Sequence, residues 1–189
     1  MPGRLAKIFD RKQTDVQDRY KCLVGCAYTN TSLAAAERVS LFSSPSYVAD
    51  SEQLARIMEC PNAIQPSGTF HALAFQEAMK RGLSTQRMGL ATQTKIHQFG
   101  KRKAASFNKN NPTKPPREYL GYIECTVRDV RALTNSSGSR FFGVFATPEN
   151  DPAHADIFLV VNLNEGDKLQ IQRLFHQIFK LANLVPAPV

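Results

Sequence analysis

The clearest alternation of apolar and polar positions lies in the last third of the chain. An apolar run, RFFGVFA, precedes the turn-rich TPENDPAHA and a second apolar run, DIFLVVNL. Two such runs around a turn predict a hairpin at about 140–163. Leucine, isoleucine and phenylalanine then recur at helical spacing in EGDKLQIQRLFHQIFKLANL, before Pro186. This pattern predicts an amphipathic helix over 166–183 that packs on the hairpin.

Shorter patterns precede this unit. We predict a buried strand from YKCLVGCAYT, a short helix from SLAAAERVSLF with Asn30 or Ser32 as its cap, and a strand from IECTV. Two further helices are predicted from EQLARIMEC, ended by Pro61, and from TFHALAFQEAMKRG, ended by Gly82. Strands and helices in no strict alternation indicate an α+β fold. We expect a single compact domain with a mixed or antiparallel sheet, flanking helices and a C-terminal strand–turn–strand–helix unit.

The positive charge is concentrated in one part of the chain. The net charge is +8, and the forty residues between Glu77 and Glu118 contain ten bases and no acid. Without those ten, 14 of the 24 basic residues remain against 16 acids, a balance of −2. A one-sided field of this kind favours an anionic partner, most often nucleic acid. A solubilising segment is the alternative.

Within this region, GKRKAASFNKNNPTKPPRE is rich in Gly, Asn, Pro and charge and predicts an exposed, mobile loop at about 100–118. Basic side chains there can neutralise phosphates, and a phenylalanine can stack on an unstacked base. The expected partner is RNA, single-stranded DNA or an acidic protein. The predicted nucleic-acid-binding residues are Lys95, Lys101, Arg102, Lys103, Phe107, Lys109, Lys114 and Arg117.

Several classes of protein are disfavoured by what the sequence lacks. It contains no Walker A, dinucleotide-binding, nucleophile-elbow or zincin motif. No apolar run reaches the length of a membrane span, and the N-terminus lacks the apolar segment of an export signal. The four cysteines do not have zinc-site spacing and suit a reducing compartment. We therefore expect a cytoplasmic protein with no metal and no cofactor.

The leading candidate for chemistry is His154, in a turn stiffened by Pro148 and Pro152. Histidine is the commonest general acid or base near neutral pH, and rigidly held loops often carry function. Asp156 would point to the same side of an extended chain and could fix the imidazole tautomer. The alternative is a histidine that only bonds its own turn.

Three other residues complete the predicted catalytic set. His71 follows Ser67, Gly68 and Thr69 at the predicted start of a helix, where free amides bind anions, although the hydroxyls also suit plain capping. Ser84 and Arg87 follow a predicted helix end in GLSTQRM and form a candidate pair that either binds the substrate or supports the residues that do.

Two blocks, PSGTFHALAFQEAMKRGLS and PENDPAHADI, cover about thirty residues. They resemble an uncharacterised set of small bacterial proteins with a Phe-containing helix start, a Leu-Ser pair and an Asn-x-Pro-Ala-His-Ala-x-Ile motif. The resemblance implies no activity, but it marks the turn around His154. The matching positions are Asn150, Pro152, Ala153, His154, Ala155 and Ile157, with Asp151 in the variable place.

Two functions from different classes fit these observations. The first is a nucleic-acid-associated protein with RNA- or nucleotide-directed chemistry, of bacterial toxin or phage-defence type, that uses histidine acid–base catalysis. The second is a non-enzymatic interaction module whose basic loop binds nucleic acid or an acidic protein. A shared cleft for His71, Ser84, Arg87 and His154 would favour the enzyme.

Overall fold

The computed structural model describes residues 2–10, 15, 18–39, 47–71, 74–148, 151–163 and 165–188. The strands are β1 (Gln53–Cys60), β2 (Leu83–Arg87), β3 (Glu118–Thr126), β4 (Phe142–Ala146), β5 (His154–Leu159) and β6 (Leu184–Pro186). The α-helices are α1 (Pro2–Phe9), α2 (Arg19–Val24), α3 (Asn30–Glu37), α4 (Gln93–Asn110), α5 (Val127–Arg131) and α6 (Glu165–Ile178). Two 3₁₀ helices span Gln76–Met79 and Leu181–Asn183.

One antiparallel sheet organises this part of the chain, with its six strands in the order β4-β5-β2-β1-β3-β6. The predicted α+β class is therefore confirmed. Strand β2 lies near the middle, between β5 and β1. Its side chains are consequently presented within the sheet rather than at an edge.

The two faces of the sheet are covered by different helices. One face, which we call the α6 face, carries Leu83, Val144 and Ile157 and packs against α5, α6 and the 3₁₀ helix Gln76–Met79. The opposite face, the α4 face, is covered at one end by α1, α2 and α3, which enclose Phe145 and Phe158. Helix α4 covers the other end, over β1 and β3. The middle of the α4 face, along β2, lies between these two clusters.

The predicted C-terminal unit is present. Strands β4 and β5 form the hairpin, and α6 packs on it through Phe175, whose ring centroid lies 4.8 Å from that of Phe142. The helix ends at Ile178, earlier than predicted, and the chain continues into β6 on the edge of β3. Pro186 lies in this edge strand, where a missing N–H is tolerated.

Two short segments have the opposite secondary structure from the one predicted. The strand predicted at 20–29 is instead helix α2, which buries Leu23 under β5. The helix predicted at 52–60 is instead strand β1, with Leu54 on the α6 face and Ala55 on the α4 face. A central strand is apolar on both sides, and this pattern also fits helical spacing.

The helix predicted over 69–82 is also largely wrong. Ile64 and Phe70 form a β-bridge, and the only helix in the described part of this segment is the 3₁₀ turn Gln76–Met79. Residues 72–73 of the predicted helix lie outside the described residues. Gly82 has φ of +95°, and a Cβ there would lie 2.6 Å from the Phe158 ring, so both conformation and contact require glycine.

The mobile loop predicted at 100–118 is mostly helix. Helix α4 begins after Thr92, whose side chain accepts a hydrogen bond from the Lys95 amide, and it continues to Asn110. Its Lys, Arg, Ala and Gln residues are strong helix formers. Gly100, taken as a loop signal, lies against the Tyr119 ring, which a Cβ would overlap. Only 111–117 is irregular.

No helix in the described ranges is both long enough and apolar enough to cross a bilayer.

Candidate functional site

Pairing of β2 with β5 brings Ser84 and His154 together. Ser84 is the Cα partner of Asp156, and Gln86 is that of His154, so all four side chains share the α4 face. The Ser84 hydroxyl lies 2.6 Å from Nε2 of His154. The His154 side chain is 23% exposed and Ser84 is partly exposed, so solvent or a ligand can reach the pair.

Thr147 determines which nitrogen of His154 carries the proton. The Nδ1 atom lies 2.8 Å from the Thr147 hydroxyl and 3.1 Å from the Thr147 carbonyl oxygen. A carbonyl oxygen only accepts, so Nδ1 is the protonated nitrogen and Nε2 of the neutral ring is the acceptor. Ser84 therefore donates its hydroxyl proton to Nε2. This is the tautomer that general-base activation of a serine requires.

Asp156 is connected to His154 through Thr147. The Thr147 hydroxyl donates to Oδ2 of the buried Asp156 at 2.9 Å, whereas that oxygen is 3.8 Å from Nδ1 of His154. The predicted same-side placement of Asp156 is present, but the contact is relayed by a residue that the sequence argument missed. We call Ser84, His154, Thr147 and Asp156 the serine–aspartate chain.

Local hydrogen bonds hold His154 at the start of β5. The Asp151 carboxylate accepts from the Ala153 amide at 3.0 Å, and the Asp151 carbonyl accepts from the His154 amide at 2.9 Å. The Ala153 carbonyl accepts from the Arg87 amide at 2.7 Å, which ties this turn to β2. Asn150, which begins the motif shared with the bacterial proteins, lies outside the described residues.

Arg56 of β1 and Gln86 of β2 flank the site. The buried Arg56 donates to the Ser84 carbonyl oxygen at 2.9 Å and to Glu77 at 2.9 Å, and so anchors the Ser84 backbone. Gln86 is 2% exposed, and its Nε2 has no hydrogen-bond partner among the described residues. A buried amide donor therefore stands two residues from Ser84 on the same face. Sequence alternation in LSTQR was the available signal for this placement.

Gln86 also lines a cavity of about 690 Å³ between α4 and the turn that holds His154. Lys95, Arg102 and Lys103 of α4 line the same cavity. A recess that carries three basic side chains on a partly apolar lining therefore adjoins the strand positions of Ser84 and His154.

The predicted nucleic-acid-binding residues fall into two groups. Lys95, Arg102 and Lys109 are exposed and recur every seven residues along α4, about 10.5 Å apart at 1.5 Å per residue. We call these three the basic stripe. Lys101 and Lys114 are also exposed, and Lys101 donates to the Pro188 carbonyl oxygen at 3.2 Å.

The second group supports the fold. Lys103 and Arg117 lie 3.8 and 3.2 Å from the buried carboxylate of Glu59. The Arg117 guanidinium also lies 3.5 Å from the ring centroid of Phe107, so one face of that ring is already covered. Burial, reinforced by Arg56, lowers the pKa of Lys103 to about 8 despite the attraction of Glu59. Its charge is therefore reduced above neutral pH.

The structure does not bring His71 and Arg87 into the site. Arg87 extends from the α6 face of β2, and its Nε and Nη2 atoms each bind Glu52 at 2.8 Å. The amide of His71 donates to the Ala63 carbonyl oxygen, and the neighbouring Phe70 packs against the α6-face core. Of the predicted catalytic residues, Ser84, His154 and Asp156 come together and these two do not.

A charged network lies beside Ser84, where β1 and β2 separate after the Ala55–Gln86 pair. Glu77 binds both Arg56 and Arg81, at 2.9 and 2.5 Å. Burial alone would raise the pKa of Glu77, but the two guanidinium groups lower it to about 2. This carboxylate is therefore ionised at neutral pH.

No protein-family model, curated protein or solved structure matches this chain. Within the described ranges, no three His, Cys, Asp or Glu side chains lie close enough to hold a metal ion.

Proposed function

We propose that this protein is a nucleic-acid-associated enzyme in which His154 activates Ser84 for attack on a phosphate ester of RNA or of a nucleotide. The observation that carries the proposal is the 2.6 Å contact between the Ser84 hydroxyl and Nε2 of His154, with Nδ1 engaged by Thr147. A serine is a weak nucleophile until an adjacent base accepts its proton.

The reaction proceeds in two steps. In the first, Ser84 Oγ bonds to phosphorus while Nε2 of His154 takes the hydroxyl proton, and the bond to the departing oxygen breaks on the opposite side of phosphorus, where water protonates that oxygen. In the second, water attacks the phosphorus of the phosphoserine from that opposite side and loses a proton to solvent, while the imidazolium of His154 returns its proton to Ser84 Oγ as the Oγ–phosphorus bond breaks. Thr147 and Asp156 are positioning residues that stabilise the imidazolium between the two steps.

The class of substrate is inferred from charge and from unused donors. The basic stripe neutralises phosphates along a strand, and the unpartnered amide of Gln86 donates to charge that develops near Ser84. We further propose that the activity is RNA-directed and of bacterial toxin or phage-defence type. The protein would act in the cytoplasm, since all four cysteines are free thiols that suit a reducing compartment.

A fluorophosphonate reagent tests the nucleophile without knowledge of the substrate. Mass spectrometry should find one adduct, at Ser84, and its rate of formation should fall by about 10²–10⁴-fold in His154→Ala, the range for loss of a general base. Ser106→Ala is the matched control, because Ser106 lines the neighbouring cavity and is exposed. Labelling that is absent, or that is unchanged in His154→Ala, would refute the proposed activation.

The basic stripe favours one alternative, an interaction module that binds a polyanion without chemistry. Salt-sensitive RNA binding in a protein whose Ser84 does not react would support the module. Turnover of a labelled RNA that Ser84→Ala abolishes, with RNA affinity retained, would support the enzyme.

A further inference from the structure

A second cavity, of about 820 Å³, adjoins the end of β5 opposite to His154. Its walls are α2, α6, the 3₁₀ helix Gln76–Met79 and the segment that follows β5. Its volume falls within the usual range of ligand pockets, roughly 300–1,000 Å³. Most of the lining is apolar, and its polar members besides Gln172 are Lys21, Gln76, Lys80 and Asn162. The apolar lining residues include Tyr20, Val24, Met79, Leu159, Val161 and Leu169.

One polar side chain of this lining is buried and has no hydrogen-bond partner among the described residues. Gln172 of α6 lines the cavity and is 6% exposed. Neither its Nε2 nor its Oε1 forms a hydrogen bond with any residue that the structure describes. Burying an amide without partners is unfavourable, and an apolar residue would suit the position better if packing were its only role.

We propose that this cavity binds a planar heterocyclic small molecule with a lactam edge, the class that includes 2-quinolinones and uracil-type and guanine-type nucleobases. A lactam presents an N–H and a C=O side by side. The Oε1 of Gln172 accepts from that N–H and the Nε2 donates to that C=O, so both orphan atoms are satisfied together. The aliphatic side chains and Tyr20 bury the ring.

The site is independent of the serine–aspartate chain. Leu159 and Val161 come from the end of β5 and the residues beyond it, whereas His154 begins that strand. Ser84→Ala should therefore leave binding in this cavity unchanged. A cavity that binds neither probe would leave the proposed activation of Ser84 unaffected. Equally, a Ser84 that does not react with the fluorophosphonate would leave the proposed ligand of the cavity unaffected.

The probes are 2-quinolinone and uridine, each compared with its N-methyl counterpart, which lacks the lactam N–H. By calorimetric titration, at least one parent probe should bind with a Kd below about 1 mM. Methylation of its nitrogen, or the variant Gln172→Leu, should each weaken binding by at least about tenfold, because a buried group is left unpaired. Gln170→Leu, on the exposed part of α6, should bind like the original protein.

The folding of Gln172→Leu supplies a second readout. Because the amide has no partner to lose, its urea unfolding midpoint should stay the same or rise. A lower midpoint would show that the amide is satisfied within the protein, and the inference would fail. It would also fail if neither parent probe binds, or if the N-methyl probes bind equally well.

Discussion

Replacing Thr147 with valine tests the serine–aspartate chain at its centre. Valine keeps the branched shape of threonine and removes only the hydroxyl, which here accepts from His154 and donates to Asp156 at 2.9 Å. The Thr147 carbonyl oxygen still accepts from Nδ1 of His154, so the tautomer is retained. The variant therefore separates the link to Asp156 from the choice of tautomer.

The expected cost follows from the burial of Asp156. A hydrogen bond to a charged group contributes about 1.5–3 kcal/mol, and here its loss leaves a buried carboxylate without that donor. At about 2–4 °C per kcal/mol for a protein of this size, Tm should fall by about 3–12 °C. The same loss of imidazolium stabilisation should slow fluorophosphonate labelling by about 10–100-fold, since about 1.4 kcal/mol is a factor of ten.

A double-mutant cycle with Asp156→Ala isolates this interaction. If the hydroxyl acts through the carboxylate, Thr147→Val should cost little in a protein that already lacks Asp156. Thr147→Ser, which keeps the hydroxyl, is the matched control and should stay close to the original stability. A valine variant of undiminished stability, or one whose cost persists without Asp156, would refute the relay.

Three further predictions concern other parts of the structure. Phe175→Ala removes a fully buried ring and should lower the free energy of urea unfolding by about 3–5 kcal/mol. The control Leu169→Ala, at an exposed position, should lower it by about 0.5 kcal/mol or less. An equally small loss for both variants would show that α6 does not belong to the core. Alanine at all three positions of the basic stripe should reduce the slope of log K against log salt for single-stranded RNA binding, measured by fluorescence anisotropy. The slope should become shallower by about 2, because each lost phosphate contact on a single strand accounts for about 0.7. An unchanged slope would show that the basic stripe does not contact the RNA. Because the pKa of Glu77 is lowered from 4.5 to about 2, its contribution is present above pH 4.5 and lost as pH falls towards 2. That contribution is on the order of 3 kcal/mol. In Glu77→Gln, the free energy of unfolding should fall less steeply between pH 4.5 and pH 2 than in the original protein. An unaltered dependence on pH would contradict the lowered pKa of Glu77.

Local pattern was sufficient for some elements and misleading for others. The hairpin of β4 and β5 and helix α6 follow from apolar runs, a turn and helical spacing that are all contained in one segment. For β1 the pattern predicts a helix, because a strand that is apolar on both faces shows no alternation. For α4 it predicts a loop, because Gly100 is a loop signal in the sequence but is required here by the tertiary contact with Tyr119, which no local pattern reveals.

One part of the candidate site could likewise be predicted from the sequence, and another part could not. That His154 and Asp156 point to one side follows from alternation along a strand. That Ser84 meets His154 depends on the pairing of β2 with β5, between residues seventy positions apart. The part played by Thr147 depends on the register of β4 against β5. The place of Arg87 outside the site depends on its ion pair with Glu52, a residue distant in sequence.

The position of these polar groups in the sheet is itself informative. Strand β2 is a central strand, where apolar side chains stabilise a sheet best, yet on the α4 face it carries Ser84 and Gln86. The helices on that face cover the sheet at both ends and leave this strand between them. An orphan amide at Gln86 destabilises the fold, since a buried donor without a partner costs about 1–3 kcal/mol. A sheet shaped only for stability would close this gap with apolar residues, so the polar strip and the basic recess beside it are best explained by a ligand that completes their hydrogen bonds.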